Sequence, residues 1–245
     1  MHRFYNPCQN ISGNKIIIQD KGLLHHLKDV LRLKREDEVI IFDGQRNEYQ
    51  CSIEKLTGKV ILNIKQKRSF SEIREDIKIT VAVALPKKSK MDGIVDKLTQ
   101  LGADRIIPLE TERVSVNLDD RKKKLRLQRW RRIALSASQQ SQRNNLPIID
   151  SIKDINDVLS NLQGFDLKLI PTLTGEREPL KEILDKSKPQ NILVLIGPEG
   201  DFTLQEVIKA KRAGFIAVSL GDLVLRVETA AIVVAGFIRL YYEND

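Results

Sequence analysis

From residue 77 onward, short apolar and β-branched runs alternate with segments of helical periodicity. The runs cover residues 77–84, 105–109, 167–172, 191–196 and 215–220, and the helical patterns cover residues 91–101, 119–142, 152–162, 203–213 and about 227–242. Continuous apolar runs are typical of strands that are covered on both faces. Helices between such strands favour parallel pairing. This part of the chain is therefore predicted to be an α/β domain built on a parallel sheet.

The first 67 residues have a different pattern, which predicts strands at 15–19, 39–42, 48–56 and 60–67. One helix is predicted between them, with Asp20 as its N-cap and leucines at helical spacing from Leu23 to Leu31. Several strands with one helix indicate a small β-barrel, a kind of module that often binds RNA. The polar segment 68–76 is the predicted boundary, which divides the chain into domains 1–72 and 73–245.

The charge of the chain is concentrated in one segment. Lys and Arg number 41 against 33 Asp and Glu, a net charge of +8. Residues 113–143 contain ten basic residues and two acidic ones, so this window alone also carries +8. Such a concentration favours a nucleic-acid partner, although a solvated basic helix is an equally good interpretation of the charge alone.

Other features of the sequence argue against membrane, secreted, disulfide-rich and zinc-binding proteins. No apolar run reaches the length of a membrane-spanning helix, and the first residues lack the pattern of a secretory signal. Cys8 and Cys51 are far apart, with no CxxC motif, so neither a disulfide framework nor a zinc site is expected. We therefore expect a cytoplasmic protein with no membrane partner and no metal.

Two loops follow predicted central strands, at residues 197–202 (GPEGDF) and 220–226 (LGDLVLR). Ligands of open α/β sheets collect at the carboxyl ends of the strands. Neither loop is followed by Gly-Lys-Ser/Thr and neither fits GxGxxG, which argues against kinases, GTPases and Rossmann dehydrogenases. The last helix is apolar nearly all round, which is typical of a buried helix or a subunit interface and favours a homodimer.

Five segments together carry a family resemblance: IGPEGDFT (196–203), LGDLVLRVETA (220–230), LPKKSKMDGIVDKLTQLGADRIIPL (85–109), RWRRIALSASQQSQR (129–143) and HRFY (2–5). They resemble the small-subunit (16S) ribosomal RNA uridine N3-methyltransferases, and the resemblance covers essentially the whole chain. It implies a SPOUT methyltransferase domain with a trefoil knot and an N-terminal PUA-like barrel. The knot comes from the resemblance alone, since threaded chains are rare.

The resemblance implies S-adenosylmethionine as cofactor, bound in a bent conformation by three loops. The residues matched to these loops are Pro171, Thr172, Leu173, Leu195, Ile196, Gly197, Pro198, Glu199, Gly200, Leu220, Gly221, Val224, Leu225 and Thr229. The family usually has a second glycine where this chain has Asp201. Asp tolerates left-handed backbone conformations better than most residues, so the turn is compatible with it.

The implied reaction is methyl transfer to N3 of one uridine, within an assembled 30S subunit. Arg226 is the expected catalytic residue, since a guanidinium beside O2 or O4 stabilises the developing anion. Glu199 is a candidate base, although a role in shaping its loop is the better interpretation. The expected RNA contacts are Arg3, Arg113, Arg126, Arg129, Arg132, Gln140 and Arg143, whereas the spacing of Trp130 predicts core packing.

Two alternatives stay open. Related knotted enzymes methylate the ribose 2′-hydroxyl with similar loops. A non-catalytic RNA-binding or ribosome-assembly protein with vestigial cofactor loops is the other, and its sequence support is Asp201.

Overall fold

The computed structural model describes residues 1–9, 11–70, 77–87, 90–114 and 119–243. The chain divides into two compact units: Met1–Arg74 with Ser138–Leu146, and Glu75–Ala137 with Pro147–Asp245. The boundary predicted between residues 72 and 73 lies outside the described residues. The segment Ser138–Leu146, which the sequence analysis assigned to the second domain, groups with the first unit.

The first unit contains a six-stranded sheet in the order β1-β4-β5-β6-β3-β2. Its strands are β1 His2–Tyr5, β2 Ile11–Ser12, β3 Lys15–Ile18, β4 Glu38–Phe42, β5 Asn47–Thr57 and β6 Lys59–Ser69. The four predicted strands are confirmed as β3 to β6, whereas β1 and β2 were not predicted. Strand β1 pairs in parallel with β4, and the other pairs are antiparallel.

The predicted helix of this unit is confirmed as a short helix, α1 (Lys21–His25), followed by a π-helical segment, His26–Val30. Asp20 caps it by accepting a hydrogen bond from the Leu23 amide at 2.7 Å. The hairpin between β5 and β6 turns at Gly58, whose φ of +72° favours glycine. Leu27 of the π-helical segment is fully buried against apolar side chains of the sheet.

The second unit contains an eight-stranded sheet in the order β10-β8-β7-β13-β11-β14-β12, with β9 paired to β8. Its strands are β7 Lys78–Ala84, β8 Arg105–Glu110, β9 Ile148–Ile149, β10 Lys153–Asp154, β11 Leu167–Pro171, β12 Glu178–Pro179, β13 Asn191–Ile196 and β14 Ile216–Ser219. All of their pairings are parallel. The predicted α/β class is therefore confirmed.

The helices of the chain beyond β7 are α2 Lys90–Gln100, α3 Asp120–Gln140, α4 Ile155–Leu159, α5 Leu180–Asp185, α6 Leu204–Arg212 and α7 Val227–Glu243. The predicted helices are confirmed as α2, α3, α4, α6 and α7, although α4 is much shorter than predicted and α5 was not predicted. Thr203 and Glu206 form the predicted capping box at the start of α6.

The sheet of the second unit separates two apolar cores. On β7, Ile79, Val81 and Val83 belong to one core, and Ala82 belongs to the other. This alternation follows from the period of two along a strand, and it explains why the strands are apolar throughout. Trp130 is only 2% exposed in the first of these cores, which confirms its predicted role in packing.

One ion-pair cluster joins β8 to the segment after β9. Arg105 donates to both carboxylate oxygens of Asp150, with Nε–O and Nη2–O distances of 3.0 and 2.8 Å. Lys153 lies 2.9 Å from the same carboxylate. Burial by itself raises the pKa of Asp150, but the hydrogen bonds and charges of Arg105 and Lys153 outweigh it and hold that pKa below its usual value.

Candidate functional site

The second unit has a pocket at the carboxyl ends of three adjacent strands, β11, β13 and β14. Three loops line it: the loop after β11, the segment 196–201 after β13 and the segment 220–227 after β14. Including its open mouth, the pocket holds about 590 Å³ of space that no protein atom fills. Part of that space is open to solvent, so the pocket is an open cleft and not an enclosed cavity.

The loop after β13 is built around a buried aromatic ring. Phe202 is 1% exposed, and a Cβ atom on Gly197 would lie 3.1 Å from two of its ring carbons. The amide of Asp201 donates to the Pro198 carbonyl at 3.0 Å, which closes a tight turn. Glycine at 197 therefore lets the backbone pass over the ring, and this packing fixes the loop beneath the pocket.

Asp201 links this loop to the loop after β11. Its backbone has a φ of +60°, the left-handed conformation that the sequence analysis expected Asp to tolerate. Its Oδ2 accepts hydrogen bonds from the Thr172 hydroxyl at 2.9 Å and the Leu173 amide at 2.7 Å, and its Oδ1 accepts from the Phe202 amide at 2.8 Å. The carboxylate lines the pocket and holds two of its walls together.

Arg177 makes a second contact with the loop after β11. Its Nη1 donates to the Thr172 carbonyl at 3.1 Å, and its side chain lines the pocket. The pocket therefore has one guanidinium, on Arg177, and two carboxylates, on Glu199 and Asp201, among its lining side chains. Charges of both signs suit a zwitterionic ligand.

Large apolar side chains are exposed at the mouth of the pocket. Leu223 is 80% exposed, Val224 73% and Leu173 51%, and all three line the pocket. Exposed apolar side chains that cluster around a cavity are typical of a ligand site, because a bound ligand removes them from water. The pocket thus offers an apolar wall for the flat part of a ligand and charged groups for the rest.

Most residues predicted to bind the cofactor line this one pocket: Pro171, Thr172, Leu173, Ile196, Gly197, Pro198, Glu199, Leu220, Gly221, Val224 and Leu225. Three do not. Leu195 is fully buried in the core on the opposite face of the sheet, Gly200 lies against Arg113, and Thr229 is exposed on α7. Lining residues that the prediction did not include are Arg177, Asp201, Val218, Leu223, Val227 and Ala230.

The two predicted catalytic residues have different surroundings. Glu199 lines the pocket, and its Oε1 accepts a hydrogen bond from the Lys87 amide at 3.0 Å, as a loop-shaping residue would. Arg226 is exposed and lies in the chain between Leu225 and Val227, which both line the pocket. Its charge also acts on Glu228: the backbone amide of Glu228 itself and Lys90 lower the pKa of Glu228, and Arg226 adds to this effect.

The residues predicted to contact RNA from the second unit differ in their partners. Arg113 is exposed and donates through Nη1 to the Gly200 carbonyl, so its side chain contacts the loop after β13. Arg129 is paired with Asp92 at 2.7 Å. Arg126 and Arg132 have no ion-pair partner among the described residues, and Arg132 is exposed. Of these four arginines, Arg126 and Arg132 are therefore the better candidates for contacts with RNA phosphates, because no acidic side chain among the described residues pairs with them.

The other predicted RNA contacts belong to the first unit. Gln140 is exposed, and Arg143 donates through Nε to Asn145 at 2.9 Å. Arg3 is placed differently from the expectation: its side chain is 8% exposed and lies 3.3 Å from Glu48. The guanidinium also lies 4.2 Å from the centroid of the Phe42 ring and donates to Asn144.

These contacts occupy Arg3 inside the first unit. Burial lowers the pKa of Arg3, and the nearby charge of Glu48 opposes this effect. A guanidinium with an aromatic face and an acidic partner is a packing residue, so its placement argues against the predicted RNA contact.

Across the described ranges, no helix is both long and apolar enough to cross a bilayer. Within the same ranges, no three His, Cys, Asp or Glu side chains come together as metal ligands would.

Comparison with known proteins assigns the chain to a family. Residues 74–239 match the family described as an RNA methyltransferase domain, and residues 18–64 match an RNA methyltransferase PUA domain. The ribosomal RNA small subunit methyltransferase E of Mesomycoplasma hyopneumoniae is 31% identical over 95% of this chain and 96% of its own length. The enzyme of the same name from Bacillus subtilis is 29% identical over 91% of this chain and 86% of its own.

Solved structures give the same result. A ribosomal RNA small subunit methyltransferase E from Neisseria gonorrhoeae, bound to S-adenosyl methionine, matches with a TM-score of 0.86 and 30% identity over 99% of this chain and 98% of that one. A methyltransferase from Legionella pneumophila in complex with bound SAM matches with a TM-score of 0.84 and 28% identity, over 98% and 97%. The predicted SPOUT-type fold is confirmed, whereas its knot stays a prediction. The chain therefore belongs to the RNA methyltransferase family, among the small-subunit ribosomal RNA methyltransferases E.

Proposed function

We propose that this protein transfers a methyl group from S-adenosylmethionine to N3 of one uridine in 16S ribosomal RNA. The observation that carries the proposal is the convergence of three loops on one pocket, with the exposed Arg226 between two lining residues of the third loop. Membership of the family supports the coarser activity, a methyltransferase of small-subunit ribosomal RNA. The choice of uridine N3 rests on the sequence resemblance and on the chemistry that Arg226 can supply.

The lining of the pocket fits S-adenosylmethionine. The adenine ring needs an apolar slot, which Leu220, Val224 and Leu225 supply after β14. The amino-acid end of the cofactor has a carboxylate and an ammonium group, and Arg177 and Glu199 carry charges of the opposite signs. When bound, the cofactor supplies a methyl group on a sulfonium, which is transferred by in-line displacement, so positioning dominates the rate.

Arg226 is the proposed catalytic residue. Uridine N3 carries a proton in neutral RNA, and this proton must leave to solvent before or during attack. Its loss spreads negative charge over N3, O2 and O4. A guanidinium beside O2 or O4 stabilises that charge in the transition state more than in the ground state. Glu199 is proposed to shape the loop, because its Oε1 already accepts the hydrogen bond from the Lys87 amide.

The RNA is proposed to meet the exposed basic side of α3, within an assembled 30S subunit in the cytoplasm. Arg126 and Arg132 on this helix lack ion-pair partners among the described residues, and Arg113 of the same unit is exposed. The match of residues 18–64 to a PUA domain supports a contribution of the first unit to RNA binding.

A second copy of this chain is proposed to cover one face of α7. Val233, Phe237 and Leu240 are 42%, 39% and 62% exposed, and their spacing places them on one stripe of the helix. Buried apolar residues occupy the opposite face. Phe237→Asp should therefore convert a dimer to monomers in sedimentation velocity, and a wild-type monomer at micromolar concentration would contradict the homodimer.

The reaction is tested by product analysis. The protein is incubated with methyl-labelled S-adenosylmethionine and undermodified small ribosomal subunits, and the labelled nucleoside is identified after digestion. Label in 3-methyluridine supports the proposal, and label in a 2′-O-methyl nucleoside replaces it with the ribose reaction. Cofactor binding without label points to another substrate, whereas no cofactor binding favours a non-catalytic RNA-binding protein.

The role of Arg226 is tested separately. Arg226→Ala should lower kcat by about 100-fold or more, as expected for the loss of one transition-state donor, with cofactor affinity nearly unchanged. Arg212→Ala, an exposed arginine on α6, is the matched control and should have little effect. Parallel loss of kcat and cofactor affinity would show that Arg226 is a structural or cofactor-binding residue.

A further inference from the structure

Asp201 lines the pocket, and both of its carboxylate oxygens accept hydrogen bonds. Oδ2 accepts from Thr172 and from Leu173, and Oδ1 accepts from Phe202. Three donors from two loops leave the carboxylate little freedom to rotate. Its negative charge is therefore held at a defined place in the wall of the pocket.

The other charged groups of the pocket are held less firmly. Glu199 is exposed, and within the described part of the chain only its Oε1 accepts a hydrogen bond, from the Lys87 amide. Arg177 is also exposed, and its contact is with the Thr172 carbonyl. An exposed charge is screened by water, whereas a fixed and partly buried one acts on a ligand without having to reorganise.

We propose that Asp201 is a specificity-determining residue that favours the positively charged methyl donor over its uncharged demethylated product. The inference rests on the proposed function, with S-adenosylmethionine as donor. The donor has a sulfonium, and S-adenosylhomocysteine, the product, has a neutral thioether in its place. The two ligands share their adenosine and amino-acid groups, so a fixed negative charge in the wall discriminates between them by this one charge.

The selectivity has a use in turnover. If the product bound as tightly as the donor, it would stay in the pocket after each reaction and slow its replacement by a new donor molecule. A carboxylate that attracts only the sulfonium weakens product binding relative to donor binding. A fivefold preference corresponds to about 1 kcal/mol, which is the size that Coulomb's law gives for two unit charges close together in a well-solvated site.

The same carboxylate also positions the loop after β11, and this role affects both ligands equally. Loss of the bonds to Thr172 and Leu173 loosens the apolar wall that includes the exposed Leu173 side chain. Affinity alone therefore does not separate the two roles. The ratio of the two dissociation constants does, because the contribution of loop order cancels in it.

The experiment measures the dissociation constants of S-adenosylmethionine and S-adenosylhomocysteine by calorimetry for the wild type, Asp201→Asn and Asp201→Gly. Asparagine keeps the size of the side chain, and glycine keeps the φ of +60° without strain. Both remove the charge. The matched control is Asp166→Asn, because Asp166 also accepts two backbone amides, from Gln190 and Asn191, and does not line the pocket.

We expect both Asp201 variants to lose about fivefold or more of the preference for the donor over the product, and Asp166→Asn to leave it unchanged. An unchanged ratio in either Asp201 variant overturns the proposed selectivity, even if both affinities fall. A wild-type protein that binds neither ligand overturns the proposed function itself. The two failures are therefore distinguishable in one set of titrations.

Discussion

Removal of the Glu206 carboxylate is predicted to destabilise the second unit and to lower the affinity of its pocket for the cofactor. Glu206 is 5% exposed, and its two oxygens accept hydrogen bonds from two separate backbone amides. Oε1 accepts from Glu112 at 2.9 Å, and Oε2 accepts from Thr203 at 2.8 Å. The side chain thus joins the start of α6 to the segment after β8.

The expected magnitude follows from those contacts. Glu206→Ala leaves two amides without their partner, and each buried unsatisfied group costs about 1 to 3 kcal/mol. One of these two lost bonds is the glutamate half of the capping box, while Thr203 keeps the other half by accepting from the residue 206 amide. Water that enters the space left by the side chain offsets part of the cost. We therefore expect a loss of about 3 kcal/mol in the free energy of unfolding.

The assay is urea denaturation followed by the fluorescence of Trp130, the only tryptophan of the chain, which is buried in the second unit. The control is Glu182→Ala, which removes an exposed glutamate from the first turn of α5. Cofactor affinity should also fall in Glu206→Ala, because α6 anchors the loop that ends at Phe202. Equal shifts of the urea midpoint in the two variants would refute the reasoning.

Three further predictions concern charges and thiols. The folded-state pKa of Asp150 is lowered, so its ion pair contributes its full stability above the unfolded pKa of about 3.9, and this stability is lost as pH falls through the folded value. Asp150→Asn should therefore cost about 2 kcal/mol in urea denaturation at pH 7 and progressively less as pH falls below about 3.9, and a pH-independent cost would contradict this. Burial raises the pKa of Cys51 to about 12, so little thiolate is present at pH 8. Iodoacetamide at pH 8 should therefore alkylate Cys51 roughly 1000-fold more slowly in the native protein than in urea, as measured by mass spectrometry. Comparable rates in the two conditions would disprove this prediction. The double variant Arg126→Gln, Arg132→Gln should lower the slope of log binding constant against log salt concentration for RNA by about 2. Arg129→Gln should change this slope less, because Arg129 is paired with Asp92. Equal effects per residue would remove the distinction between paired and unpaired arginines.

The parts of the fold that were predicted are those with a repeating pattern. Strands such as β7 and β13 are buried on both faces and are therefore apolar throughout, which the sequence displays directly. The strands β9, β10 and β12 have two residues each, too few to show any period. Strand β1 (HRFY) has no β-branched residue, and its pairing with β4 joins residues 37 positions apart, as between His2 and Val39.

The location of the site was predictable, but its internal contacts were not. The carboxyl ends of parallel strands meet at one edge, so loops that follow such strands are expected to be neighbours. The bonds of Asp201 to Thr172 and Leu173 span 29 and 28 positions, and no local pattern specifies them. The burial of Arg3 depends in the same way on Glu48 and Phe42, which come from other strands.

The basic segment shows why a count of charges is a weaker guide than their pairing. On α3, Lys123 is paired with Glu110 of β8, and Arg129 is paired with Asp92 of α2. The buried Trp130 and Ala134 fix the rotation of the helix about its own axis, and the two pairs connect its outer side to two neighbouring elements. With that rotation fixed, the cations that lack ion-pair partners among the described residues are held in a constant orientation: Arg121, Lys124, Arg126, Arg131 and Arg132. For the proposed contact with RNA, pairing therefore separates the basic residues that hold the helix against its neighbours from those whose charges remain available for phosphate, and the second group is expected to set the salt dependence of binding.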